Sequence, residues 1–528
     1  MIFNSYSVRA IALQSISVSK FQKQGNLNQQ NRDISQVRQQ NELTFYGNCY
    51  ITKFMPKGEV IGLGRSGIAA ARLLNKDGWQ VTLVDSATEE KIASRSNASQ
   101  LQASQQQLIS EGISVKLNSS ITLEGENTPD LVVVSPGVPW DIKPLELARN
   151  KGIKTIGEIE LAWRYLNKIP WIGITGTNGK TTTTALIAAI FQATGLNAPA
   201  CGNIGNAACE LAIKNLANAS RQAFPKGLRD PYEWIIAELS SYQIESSEQL
   251  APQIGILTTL TPDHLARHKT VENYYQIKAS MIRRCQQKIV NGDDKFLREK
   301  ATELGGDVIW TSIKGKNSFS DDRSVGVYVQ DGWVVAFEEL IAPISLFKMP
   351  GEHNLQNLLV AVAAAKLAGI DKKAIAKTIT SFPGVEHRLE YVCTYQGIKF
   401  INDSKATNYD AAEVGLNSVA APVILIAGGQ GKAGDDTAWI DKIKQKAASV
   451  LLIGEAAPDF ARRLSDRDYH DYQIVETMEN AVSQSIAIAK AKQAKVVLLS
   501  PACASFDRYL SFEARGKHFK ELCLKIDS

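Results

Sequence analysis

An α/β fold in three domains, built on largely parallel sheets, is the fold class this sequence predicts, and three observations carry it. Short apolar runs of strand length recur along the chain, and each breaks off at a turn rich in glycine, serine or aspartate before a helical segment begins. That alternation is the mark of βαβ units. At 528 residues the chain is too long for one hydrophobic core and fits about three domains. One turn, Ile172-Gly-Ile-Thr-Gly-Thr-Asn-Gly-Lys-Thr181, joins an apolar strand to a helix opened by four threonines. Its glycines let backbone N–H groups converge on phosphate oxygens, its lysine reaches the outer phosphates, and the Thr181 hydroxyl is placed to ligate Mg²⁺. Ile174 stands where the general P-loop pattern has its first glycine, so the motif is a narrower variant of that pattern.

The first unit opens after residue 54. Val60 and Ile61 form a strand, Gly62-Leu-Gly-Arg-Ser-Gly67 the turn, Ile68 to Asp77 a helix stopped by Gly78, and Gln80 to Val84 a second strand ending at Asp85. This is the dinucleotide-binding fingerprint with its acid, although the same glycines suit any diphosphate at a helix N-terminus. Leu131-Val-Val-Val-Ser-Pro-Gly137 ends another buried strand at a turn of the same kind. The second unit starts near Ile159 and carries the P-loop, with Thr182 to Phe191 as its helix and Gly195 as its stop. Two further strands there end in chemistry, at Glu238 and at Asp263-His264, and Asn273 to Arg284 reads as an amphipathic helix. The third unit begins around Gly384. Its strands run into Asn402-Asp-Ser-Lys405, Gly428-Gly-Gln-Gly-Lys432, Gly454 and Ser500. Every polar cluster therefore falls at the carboxyl edge of a sheet, where such folds bind ligands.

Composition narrows the function classes. No apolar run approaches the roughly 18 residues of a membrane span. The seven cysteines are scattered without Cys-x-x-Cys spacing, which argues against a disulfide framework or a zinc site and fits a reducing, cytoplasmic setting. The net charge is +5, but residues 1–54 hold six basic residues against Asp33 and Glu42 and so contribute +4, leaving +1 elsewhere. A nearly neutral body gives no footprint for nucleic acid. Residues 1–54, rich in Gln, Asn and Ser and without periodicity, are expected to lie outside the fold. They read as an upstream start, a targeting segment or a functional arm.

Eleven ordered motifs between 55 and 528 together resemble the Mur ligase family, and most closely its D-glutamate-adding branch. They are Gly176-Thr-Asn-Gly-Lys-Thr181, Gly202-Asn-Ile-Gly205, Glu238-Leu-Ser-Ser-Tyr-Gln243, Asp263-His264, Lys278, Gly351-Glu-His-Asn-Leu-Gln-Asn357, His387-Arg388, Asn402-Asp-Ser-Lys-Ala-Thr-Asn408, Gly428-Gly-Gln-Gly-Lys432 and Ser500-Pro-Ala-Cys-Ala-Ser-Phe-Asp507, with the fingerprint at Gly62. The resemblance implies a Rossmann-like N-terminal domain (55–158), a central P-loop ATPase-type domain (159–384) and a Rossmann-like C-terminal domain (385–528). It implies an ATP-dependent ligase of peptidoglycan precursor synthesis, acting as a monomer, which joins D-glutamate to UDP-N-acetylmuramoyl-L-alanine through an acyl phosphate.

By the same resemblance, Gly62, Arg65, Ser66, Gly67, Asp85, Ser86, Ser135, Gly137 and Asn203 bind the uridine-diphosphate substrate, with Ala87 standing where some members carry an arginine toward the uracil. Gly176, Thr177, Asn178, Gly179, Lys180, Thr181, Thr182, Asn357, Arg388 and Asp403 contact ATP. Thr181, Glu238, His264 and a carbamylated Lys278 hold Mg²⁺, and with Lys180 the last three form the catalytic set. Thr407, Lys432, Ser505, Phe506 and Phe512 match the D-glutamate pocket. A dianionic amino acid needs a fixed cation and several donors, and Lys432 supplies the cation. The competing readings are another acid–amino acid ligase such as a folylpolyglutamate synthetase, an NAD-dependent oxidoreductase built on the first fingerprint, and a nucleotide-gated binding module. The oxidoreductase leaves 170–528 unexplained, and the binding module leaves the acid, His and Lys set unexplained.

Overall fold

In a computed structural model the described residues are 55–93, 98–126, 128–220, 232–318, 325–431 and 434–527. The segment 1–54 and Lys432 lie outside them. Three sheets follow one another along the chain. The first is wholly parallel: β1 (Lys57–Ile61), β2 (Gln80–Val84), β3 (Ser114–Lys116), β4 (Leu131–Val134) and β5 (Lys154–Gly157) lie in the order β3-β2-β1-β4-β5. The order reverses between β1 and β4, so a crevice opens at their carboxyl ends. There the helix Arg65–Lys76 begins one residue after Gly64. A Cβ on Gly67 would overlap the Gly62 carbonyl oxygen, so only glycine lets this helix sit so close to β1.

The central sheet has nine strands. β6 (Trp171–Thr175), β7 (Ala200–Gly202), β8 (Ile235–Glu238), β9 (Ile254–Leu257), β10 (Gln287–Asn291), β11 (Val308–Ser312), β12 (Val325–Gln330), β13 (Trp333–Ala336) and β14 (Glu339–Pro343) run in the order β14-β13-β12-β11-β10-β9-β6-β8-β7. β12, β13 and β14 pair antiparallel, whereas the rest is parallel. Two helices cover one face of its core. Lys180–Ala193 packs against Glu352–Leu367, whose run from Leu358 to Ala365 is buried without interruption. A helix apolar all round belongs inside a layer rather than on a surface.

In the third sheet β15 (Glu390–Tyr395), β16 (Ile398–Asn402), β17 (Val423–Gly428), β18 (Ala447–Ile453), β19 (Tyr472–Glu476) and β20 (Val496–Leu499) take the order β15-β16-β20-β17-β18-β19. Only β15 is antiparallel to its neighbour. Both faces of this sheet are covered, giving two apolar clusters, one around Leu425 and Trp439 and one around Ile424 and Phe519. Among the described residues, no helix is long and apolar enough to cross a membrane.

Candidate active site

β6, β8 and β9 lie side by side, and the loops leaving their carboxyl ends build the site. Register places Ile174 of β6 beside Glu238 of β8 and Thr175 beside Leu257 of β9. The P-loop thus emerges between a strand that ends in an acid and one that runs on into Thr258 and Thr259. Gly179 caps the helix Lys180–Ala193 in the left-handed region (φ 83°), and a Cβ there would strike the Asn357 side chain. The Lys180 ammonium curls back onto its own loop, donating to the carbonyls of Gly176 (2.9 Å) and Thr177 (2.6 Å). Burial holds its pKa below the usual lysine range, against the pull of Glu238 and Asp263. Two carbonyl oxygens thus accept from an ammonium that, in phosphate-binding loops generally, meets phosphate oxygens.

Glu238 is 1 % exposed. Its Oε1 accepts from Asn203 Nδ2 at 2.8 Å, while Oε2 is buried without a hydrogen-bond partner among the described residues. A buried carboxylate oxygen in that condition is costly unless a cation takes it up, and Thr181 lines the same cleft. His264 stands at a left-handed position (φ 55°) opening the short helix Leu265–His268; its Nδ1 meets the Tyr242 hydroxyl at 3.0 Å and its Nε2 lies 3.5 Å from Asp263. These oxygen and nitrogen donors suit a divalent cation, although no group of three His, Cys, Asp or Glu side chains is gathered among the described residues. Lys278 is 1 % exposed on the helix Val271–Arg284. It donates to Thr175 Oγ1 (3.2 Å) and the Gly176 carbonyl (2.9 Å), with its Nζ 4.6 Å from the Tyr274 ring centroid. Burial, then the neighbouring Lys180, press its pKa well below the lysine range.

A cleft of about 360 Å³ gathers Thr177 to Thr181, Glu238 and His264 with Arg388, Lys405, Thr407 and Phe512 from the third sheet's loops and Arg65 from the first. A smaller neighbour of about 340 Å³ shares Asn178, Gly179 and Arg388 with it and adds Asn357 and Asp410. Thr182 is fully buried behind the loop, its hydroxyl without a partner among the described residues. The expected nucleotide-sugar residues lie at the carboxyl edge of the first sheet. Asp85 spends its carboxylate on the backbone N–H groups of Leu63 (2.7 Å) and Ala87 (2.8 Å), and Ser135 donates to the Gly62 carbonyl at 3.2 Å. Asn203, read as a substrate contact, lines the cleft of the phosphate loop and there donates to Glu238.

Other expectations also shift in position. Asp403 lines neither cleft: it is 4 % exposed and accepts from Ser500 Oγ (2.9 Å) and Leu389 N (3.2 Å). Burial pushes it up to about 7 despite Arg388. Ser505 is buried and Phe506 is 65 % exposed, and neither lines the cleft that holds Thr407 and Phe512. Two residues were missed. Lys405, pushed down to about 8 by burial, lies 4.9 Å from the Phe512 ring centroid and faces the same cleft; its signal was present in the Asn402-Asp-Ser-Lys405 motif. Tyr274 sits one helical turn before Lys278, a spacing that sets the two side chains on one face.

Fold and site define an α/β nucleotide-binding protein with a P-loop variant set between two further parallel sheets. Family models match as the Mur ligase MurD-like N-terminal domain over 57–157, the Mur ligase middle domain over 174–365 and the Mur ligase glutamate ligase domain over 387–503. Curated proteins named UDP-N-acetylmuramoylalanine–D-glutamate ligase are similar over 89 % of this chain and their full length, at 62 % identity in Microcystis aeruginosa and 63 % in Gloeothece citriformis. Two solved structures share the fold: a pseudomurein peptide ligase type C from Methanothermus fervidus (19 % identity, TM-score 0.52, 89 % of this chain and 100 % of that one) and the UDP-N-acetylmuramate-alanine ligase of Thermotoga maritima (17 %, 0.51, 90 % and 100 %). The chain belongs to the Mur ligase family.

Proposed function

We propose that this protein is an ATP-dependent ligase that joins D-glutamate to UDP-N-acetylmuramoyl-L-alanine in peptidoglycan precursor synthesis. The observation that carries the reading is the meeting, in one cleft, of a phosphate loop, a buried acid with an unpartnered oxygen and cations from the third sheet. Relatives near 60 % identity that carry the D-glutamate name favour this over a folate-type acceptor. We take 55–158 as the UDP-substrate domain, 159–384 as the ATP domain and 385–528 as the amino-acid domain. A reducing, cytoplasmic setting is supported by six buried cysteines that form no disulfide among the described residues, and a monomer by the presence of every expected residue set in one chain.

An amide forms from a carboxylate only after activation. The substrate carboxylate attacks the γ-phosphorus of ATP, ADP leaves, and an acyl phosphate results; the amine of D-glutamate then adds to the acyl carbon and expels inorganic phosphate. Lys180 and the loop N–H groups neutralise charge on the phosphoryl group in flight, where positioning and electrostatics supply most of the acceleration. Thr181 and Glu238 are fitted to hold one Mg²⁺, and His264 with a carbamylated Lys278 a second. Bound there, Mg²⁺ supplies charge neutralisation at the phosphates and carboxylate. Lys278 is suited to carbamylation, because a buried, depressed amine is neutral often enough to add CO₂ and its product exchanges a cation for an oxygen ligand. On the third domain, Arg388 and Lys405 face the nucleotide and the acidic amino acid, joined by Thr407 and Phe512. Phosphate release from Mg·ATP, UDP-N-acetylmuramoyl-L-alanine and D-glutamate tests the reading. Release that needs D-glutamate is expected, whereas equal release with L-glutamate or only with a folate acceptor would overturn the substrate assignment.

A further inference from the structure

The Thr261 hydroxyl, on the loop that follows β9, donates to Asp410 Oδ2 at 2.8 Å. Asp410 lies 149 residues further along, in the first turn of the helix Tyr409–Asn417 that packs on the third sheet. The bond therefore ties the central domain to the third one. Thr261 is also fastened to the phosphate loop. Its backbone N–H donates to Thr177 Oγ1 (3.1 Å), and its carbonyl accepts from that same hydroxyl (3.0 Å). With the Thr177 proton so used, the Tyr274 hydroxyl 3.3 Å away is left to donate to Thr177, and the Tyr274 ring faces Lys278 Nζ. One unbroken set of contacts thus leads from a third-domain helix through the phosphate loop to the lysine of the metal site. The other cross-domain bond nearby, Ser418 Oγ to His353 Nδ1, is long at 3.5 Å.

We propose that Asp410 and Thr261 form a latch, a pair of positioning residues that seats the third domain and orders the phosphate loop only while that domain is in place. This rests on the ligase reading above. Its use follows from the chemistry: an acyl phosphate made before the amine-bearing domain is seated is exposed to water, and coupling the two limits that loss. Each domain keeps its own apolar core, so losing one bond between them changes their disposition rather than their folding.

The test uses the full chain with spin labels at Glu299→Cys and Arg462→Cys, both on exposed sites, in a Cys49→Ser background. Asp410→Ala and Thr261→Val should each lengthen and broaden the distance distribution and lower kcat/KM for D-glutamate about tenfold, as expected for a lost hydrogen bond to a charged group. The double variant should be no worse than either single one, since both remove the same bond. Asp410→Asn and Thr261→Ser keep an acceptor and a hydroxyl and should stay near wild type in both measurements. Unchanged distances in Asp410→Ala, or losses that multiply in the double variant, would overturn the latch. Failure of the wild type to ligate would instead overturn the ligase reading, and the distances would still decide the latch.

Discussion

Lys278 shows most plainly how burial decides chemistry at the scale of a residue. Burial first, and then the neighbouring Lys180, press the pKa of this 1 % exposed amine well below the lysine range, and a neutral amine is the form that reacts with CO₂. Lys278→Ala should lose ligation and regain part of it with added short carboxylic acids, which fill the vacated space with oxygen ligands. Lys278→Arg should not be rescued, because a guanidinium keeps its charge; rescue of the Arg variant, or none of the Ala variant, would contradict the carbamate. Lys180→Ala should leave the fold intact and lower ligation by at least a hundredfold, from loss of a phosphate-neutralising charge worth on the order of 3 kcal/mol. Steady-state rates within threefold of wild type would remove the lysine from the phosphate site. Asp403 gives a pH signature. Its folded pKa is about 7, against an ordinary 3.8, so the folded chain binds the extra proton between those values. The stability this contributes is full below about pH 4 and lost as pH rises through 7. Without nucleotide, the Tm of wild type relative to Asp403→Asn should therefore fall between pH 5 and pH 8, and a constant difference would refute the shift.

Elements were legible where local chemistry and periodicity agree. The strand Gln80–Val84 was read to the residue, and the helix of Lys278 was expected from Asn273 and begins at Val271. The P-loop helix runs further than expected at both ends, from Lys180 to Ala193, because the left-handed Gly179 starts it inside the loop itself. The strands β11 to β14 were not foreseen, since none ends in a polar cluster that draws attention, although β12, β13 and β14 are joined by short hairpin turns. Side-chain direction around turns was equally hidden. Ser505 and Phe506 follow the right motif, yet the turn after β20 points neither into the cleft, and Asp403 turns inward to Ser500. Close packing of an element gives a direct test. Gly67→Ala should force the helix Arg65–Lys76 away from β1, lowering stability by about 1–3 kcal/mol and raising KM for the UDP-substrate more than for ATP. Chemical denaturation with paired kinetics checks it, and a fully stable variant would mean the helix can slide freely.

Across the whole molecule, three sheets present their carboxyl edges to shared clefts, and cations from all three supply what a polyanionic substrate pair requires: Arg65 from the first, Lys180 from the second, Arg388 and Lys405 from the third. The net charge of the body, near zero, hides this concentration, so composition alone excluded partners but could not find the site. Deletion of residues 1–54 should leave both Tm and turnover unchanged, because that segment carries no periodic apolar face with which to dock; a large loss of either would make the segment part of the enzyme. Ligation through an acyl phosphate is most directly tested by isotope transfer. UDP-N-acetylmuramoyl-L-alanine labelled with ¹⁸O in its carboxylate, turned over with Mg·ATP and D-glutamate, should deliver one labelled oxygen into each inorganic phosphate released, with the other kept in the new amide. Unlabelled phosphate accompanying the amide product would contradict an acyl phosphate intermediate.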